Sequence, residues 1–180
     1  MTPAQLLIIK NYIAADSYLN GQGWDGDALG VIRDALNAPA SPLFYVWRTT
    51  TPAADIGNAI VWSALTPVDA PDGTATYTNR ALLCQAKQIN VQTLIQGRDS
   101  VASNKSNIRA GLQDALTNIP AGASGASIGA GWASVKSAMT RTATVLEQLL
   151  STGTGTAVTP ADLGYEGSID NNTVDTARRS

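Results

Sequence analysis

Apolar residues along the chain recur mostly every three or four positions, and sustained two-residue alternation is missing, which predicts helices rather than sheet. Thr2-Pro3-Ala4-Gln5 offers a capping Thr, a Pro at the first helical position and a Gln placed to bond back. Leu6, Ile9, Tyr12 and Ile13 follow with helical period until Asn20-Gly21. Asp25 or Asp27 caps a second helix, with Leu29, Ile32 and Leu36 on one face. Thr51-Pro52 repeats the Thr-Pro start, with Asp55 in the first turn and Ile56 and Ile60 after it.

The longest helical run begins near Thr78. Leu82, Leu83, Ala86, Ile89, Leu94 and Ile95 are read as its core stripe, and Gly97 ends it. Asn104–Asn118 carries Ile108, Leu112, Ala115 and Leu116 on one face. A last helix is expected from Ile128 or Gly131 to Leu150, through Trp132, Val135, Met139, Leu146 and Leu149. Between these lie a stiff connection with Pro39 and Pro42, a turn-rich loop from Thr66 to Gly73, and a flexible loop from Pro120 to Ala126. Leu43-Phe44-Tyr45-Val46-Trp47-Arg48 is the densest aromatic cluster and is left open between strand and loop.

The fold class is therefore mainly α, an irregular bundle of about five or six helices. Residues 1–152 form the helical bundle domain, and 153–180 an extended C-terminal arm docking on a neighbouring subunit. Gly153 stops the last helix, Thr154–Thr159 is a flexible connector, and Thr159-Pro160-Ala161-Asp162 has the form of a cap that Gly164 cuts short. The arm's partner-binding residues are Leu163, Tyr165, Glu166, Ile169, Arg178 and Arg179, apolar anchors among Gly and Ser with a basic end.

Composition points the same way. Charged residues make up 14% of the chain, against about 25% in ordinary soluble domains. A surface rich in Ala, Thr, Ser, Gln and Asn suits a protein covered by neighbours. The charge is uneven. Residues 1–75 carry three basic residues against seven Asp, whereas residues 76–150 carry seven basic residues against three acids. Acidic and basic faces of identical subunits can then attract each other. No dense basic patch marks a nucleic-acid site. No apolar run reaches membrane-spanning length, and MTPAQLLIIKNY lacks the basic start of a signal peptide.

Catalytic chemistry finds little to work with. Histidine is absent, which removes the commonest general base and metal ligand. Of the 14 acids only Glu147 and Glu166 are Glu, and the Asp residues sit mostly at turns and caps. There is no phosphate-binding loop and no dinucleotide fingerprint. Cys84 is single and sits in a helical run, so it reads as a small core residue. The chain is read as no enzyme, with no catalytic, cofactor or metal residues and no cofactor. A hydrolase acting through isolated carboxylates, or a helical DNA-binding regulator, lacks a paired site or a basic face.

Two stretches carry a resemblance. One is Ala38-Pro39-Ala40-Ser41-Pro42, then Val46-Trp47-Arg48-Thr49 and Asp55-Ile56-Gly57-Asn58-Ala59-Ile60-Val61-Trp62. The other is Asn107-Ile108-Arg109-Ala110-Gly111-Leu112, then Arg141 to Thr156 and Gly164-Tyr165-Glu166-Gly167. Together they resemble a family of small proteins from the structural gene clusters of tailed bacteriophages, over residues 3 to 170. The resemblance is closest to the head-to-tail connector, or adaptor, of the neck. It implies a helical homo-oligomeric ring, usually a dodecamer, located in the virion between capsid and tail and assembled in the bacterial host cytoplasm. The implied partners are the portal protein, which the arm is expected to hold, and a downstream tail or stopper protein. In such a ring DNA is expected to pass through the lumen without specific binding, no membrane partner is expected, and the acidic N-terminal half is a candidate for the lumen side. The alternative is another virion protein: tail terminator, tail tube or capsid-decorating protein.

Overall fold

The computed structural model describes residues 1–66, 75–121 and 126–180. Its helices are α1 (Pro3–Ala15), α2 (Ser17–Asn20), α3 (Gly26–Asn37), α4 (Ala53–Ala59), α5 (Ala75–Ile95), α6 (Ser106–Leu116), α7 (Trp132–Ala138), α8 (Val145–Leu149) and α9 (Asn171–Arg179). A 3-10 turn spans Trp62–Leu65. The strands β1 (Tyr45–Trp47), β2 (Thr51–Pro52), β3 (Ser100–Val101), β4 (Ile119–Ala121), β5 (Ala126–Ile128) and β6 (Thr140–Thr142) are two or three residues each. The fold is mainly α, with more and shorter helices among the described residues than the five or six expected. It divides into two compact units. One is Met1–Trp47 with Arg141–Ser180, and the other is Arg48–Thr140. The boundary therefore does not fall at residue 152.

In the first unit local chemistry sets the helix starts. The Thr2 hydroxyl accepts from the Gln5 N–H at 3.2 Å, and Gln5 Oε1 accepts from the Thr2 N–H at 2.9 Å. Asp25 caps α3 by accepting from the Asp27 and Ala28 N–H groups. The apolar faces of α1, α3, α8 and α9 meet in one core of Ile9, Ile13, Leu29, Ile32, Leu36, Leu146, Ile169 and Val174, among others. A smaller cluster joins Val46, Ala143 and Ala161, with Phe44 and Leu163 against it.

The long last helix is not formed. Thr140, Arg141 and Thr142 are extended, and Thr144 opens a separate helix. The Thr144 hydroxyl accepts from the Glu147 N–H at 3.2 Å while Glu147 accepts from the Thr144 N–H at 3.1 Å. A helix running through Thr144 would have to give up this reciprocal cap, and the Thr residues on either side of Arg141 resist helix through their stiff χ1.

The extended arm is corrected as well. Residues 171–179 form a helix, and Ile169, Val174 and Ala177 are buried in the chain's own core. The Gly/Thr connector is tied to β1 at Gly155, and Ala161 just after it continues the pairing. The Tyr45 N–H donates to the Gly155 carbonyl (2.7 Å), the Trp47 N–H to Ala161 (3.0 Å), and the Ala161 N–H to Tyr45 (2.9 Å). β1 thus settles the aromatic segment as a strand. Gly155 has φ +65°, and a Cβ there would collide with the Phe44 ring. The Thr159 hydroxyl caps no helix and bonds Thr156 at 2.8 Å.

In the second unit β2 pairs antiparallel with β3, Thr51 opposite Val101 and Pro52 opposite Ser100. Thr51 is buried there against Ser103 (2.6 Å between hydroxyl oxygens), so it does not cap α4, which has no side-chain cap. β4 and β5 pair antiparallel, Ile119 opposite Ile128, so both ends of the expected Pro120–Ala126 loop are strand; residues 122–125, like 67–74 of the expected turn-rich loop, lie outside the described residues. Ile56, Leu65, Val91, Leu112, Leu116, Ile119 and Met139 are fully buried.

Candidate assembly surfaces

The six residues expected to hold a neighbour are engaged within their own unit. Leu163 packs on the Val46 cluster and Tyr165 on the larger core, and the Tyr165 hydroxyl donates to the Ser168 carbonyl at 3.0 Å. Ile169 is pinned through its backbone by Asn37, whose side chain donates to its carbonyl (2.9 Å) and accepts from its N–H (3.0 Å). Glu166 accepts from Arg141 at 3.1 Å. Arg178 donates to the Gly23 (2.6 Å) and Gln22 (3.0 Å) carbonyls and lies 4.0 Å over the Trp24 ring. Arg179 lies 4.9 Å from the same ring and bonds Asp175 at 2.8 Å. Lys10 donates to the Ser180 carbonyl, so the last residues are latched onto α1.

Around Arg141 the tail and α8 share one charge network. Arg141 grips Glu147 with two bonds of 2.7 Å each, and the Gly167 N–H donates to Glu147 at 3.1 Å. Burial alone would raise the Glu147 pKa. The Arg141 guanidinium and the Thr144 and Gly167 N–H groups outweigh it and hold the carboxyl below its ordinary value. The hydrogen bonds from Arg141 to Glu147 in turn raise the pKa of the guanidinium. Arg141, Glu147, Glu166 and the Gly167 backbone are thus tied together, so the network braces the tail against α8. Among the described residues no three His, Cys, Asp or Glu gather to hold a metal, and no helix is long and apolar enough to cross a membrane.

What remains is helix surface. In α5 the core stripe read from sequence is turned outward over Leu82, Leu83, Ala86 and Ile89, while Leu94 and Ile95 at its end are half-buried. Leu82, Leu83 and Ile89 are 57%, 45% and 53% exposed, while Cys84, Lys87 and Val91 face inward. Lys87 Nζ donates to the Asp114 carbonyl at 2.5 Å, and the Asp114 carboxylate lies 3.9 Å away. A buried ammonium is costly without such a partner. Leu82, Ala86, Ile89 and Thr93 therefore form the exposed ridge, at i, i+4, i+7 and i+11. Lys87 is the only charged residue between positions 81 and 97, so the ridge carries no charge.

A groove lies on each side of the ridge. One, of about 380 Å³, is lined by Ala53, Ala54, Trp62, Gln92, Ile95 and Gln96. The other, of about 260 Å³, is lined by Asn90, Thr93, Leu94, Gly111 and Asp114. Trp62 is exposed, its Nε1 donating to the Gly57 carbonyl at 2.9 Å.

The first unit has a matching feature that the sequence reading did not single out. Ile9 and Ile13 of α1 face the core, but Leu7 and Ile8 are 50% and 42% exposed. With Ala4, Asn11 and Ala15 they make an exposed, charge-free stripe, since Lys10 is the only charged residue of α1. The signal was available: α1 is apolar nearly all round, so burying one face leaves another bare.

No family model, curated protein or solved structure matches the chain.

Proposed function

We propose that the chain is a structural component of a tailed-phage virion, a head-to-tail connector forming a ring that bridges portal and tail and lets DNA pass through its channel. The class comes from the motif resemblance. The observation that carries a covered, structural role is the pair of charge-free helix faces left exposed on α1 and α5. A mainly helical fold also suits a connector better than a tail tube or terminator, whose subunits are usually β-rich. The portal and a downstream tail or stopper protein are the proposed neighbours. The tail of the chain is not the proposed docking element, because its anchors are occupied at home.

Electron microscopy of phage particles carrying a label on this protein tests the reading. Density at the neck, between capsid and tail, is the expected result. Label over the capsid surface or along the tail would replace the connector by a decorating or tail protein, and its absence from particles would end the virion reading.

A further inference from the structure

The two exposed faces belong to different units, and the units differ in charge. By sequence the first unit holds five basic residues against nine acids, net −4, and the second seven against five, net +2. A partner that buries the α5 ridge must itself be uncharged there, because an unpaired charge set against Leu82 and Ile89 would lose its hydration for nothing. The α1 stripe meets that requirement: Leu7 and Ile8 are its exposed apolar residues, flanked by Ala4 and Asn11. On the α5 ridge the large Leu82 and Ile89 alternate with the smaller Ala86 and Thr93, which leaves room for the Leu7 and Ile8 side chains of α1 to enter between them.

We infer that copies of the chain associate head-to-tail, the exposed face of α1 on one copy seated on the α5 ridge of the next. The net charges favour this pairing of acidic unit on basic unit over α5 on α5, which would set two units of net +2 together. A contact between unlike faces is heterologous. Each copy keeps one free α1 and one free α5 face, so the association propagates and closes only if the rotation per copy allows a ring. This inference rests on the self-assembly part of the function proposed above and not on a position in a virion.

Two single-cysteine variants test it, Ile8→Cys and Ile89→Cys, each in a Cys84→Ala background and mixed before treatment with a short bismaleimide. The expected product is the mixed dimer. Adding Leu82→Glu to the Ile89→Cys partner, or Leu7→Glu to the Ile8→Cys partner, lowers its yield about tenfold or more. High salt also lowers it. An Ile89→Cys homodimer formed as readily as the mixed species would show a two-fold α5 contact and overturn the inference, and so would absence of the mixed product. Sedimentation of the otherwise native Leu82→Glu/Ile89→Glu variant is independent of the cysteine background. Association unchanged from the parent chain likewise overturns the inference. Cross-linking together with label elsewhere on the particle rejects the connector and keeps the interface. Label at the neck without cross-linking does the reverse.

Discussion

Arg141 and Glu147 are joined by two parallel hydrogen bonds of 2.7 Å, with the Glu147 side chain 3% exposed and that of Arg141 24%. The carboxylate closes the Thr144 capping box and accepts from the Gly167 backbone at the same time. One side chain thus starts a helix and fixes the turn that leads to α9. Glu147→Ala leaves the guanidinium without its main partner and is expected to cost about 3 kcal/mol. Urea denaturation followed by circular dichroism measures it. A loss below about 1 kcal/mol would mean that water replaces the carboxylate freely. Replacing both partners together, as Arg141→Met/Glu147→Leu, is expected to cost less than Glu147→Ala alone, because no charge is then stranded.

The same pair predicts a pH dependence. Glu147 titrates lower in the folded chain than in the unfolded one. Its contribution is therefore fully present above the unfolded value, about 4.3, and is lost as pH falls through the lower folded value. Stability measured from pH 6 downward should fall for the native chain and fall less steeply for Glu147→Gln, whose amide does not titrate. Parallel curves for the two proteins would assign the acid sensitivity to other carboxylates.

The C-terminal segment is part of the fold it closes. Deleting residues 170–180 removes Val174 and Ala177, both fully buried, from the α1 and α3 faces they cover. The expected outcome is a loss of helical signal larger than the excised nine-residue α9 accounts for, together with a lower Tm. The milder Val174→Ala should cost roughly 2 kcal/mol by leaving a cavity. A truncated chain as stable as the parent would restore the idea of a detachable arm.

Gly155→Ala probes the ladder that replaced the expected loose connector. The φ of +65° disfavours Ala, and the new Cβ meets the Phe44 ring. Destabilisation of about 2 kcal/mol is expected. Phe44→Ala in the same chain should relieve part of that penalty while adding its own loss of packing, so the two changes are non-additive. Simple additivity in a double-mutant cycle would place the strain elsewhere.

What could be read from the sequence was what neighbours in the chain decide. Thr2 with Gln5, Asp25 before α3, Leu29, Ile32 and Leu36 on one face, and Gly97 after α5 all stand as local pattern implies. The misreadings have a common cause. Gly155 and Ala161 pair with a strand more than a hundred residues away, and nothing in STGTGT marks that partner. Val174 and Ala177 are buried by α1 and α3, so a segment with few apolar residues folds where its composition alone argued for disorder. The Thr144–Glu147 capping box was present in the sequence, but the Trp132 to Leu150 periodicity ran over it. The exposed faces were missed because a helix apolar on several sides does not say which side is core.

The phase of α5 can be settled in the monomer, apart from any assembly. If Cys84, Lys87 and Val91 face inward, Val91→Ala removes two buried methyls and should cost about 1–3 kcal/mol. Lys87→Ala should also destabilise, since the Asp114 carbonyl loses its donor and the buried stem its packing. Leu82→Glu and Ile89→Glu change only exposed positions and should stay within about 0.5 kcal/mol of the parent. Thermal melts of dilute samples, where association is negligible, make the comparison. The reverse order would mean that the apolar stripe read from sequence is the core after all: glutamates destabilising by several kcal/mol and Val91→Ala harmless. The bare ridge proposed to meet α1 of a second copy would then not exist, so this melt decides whether the cross-linking experiment has a surface to act on.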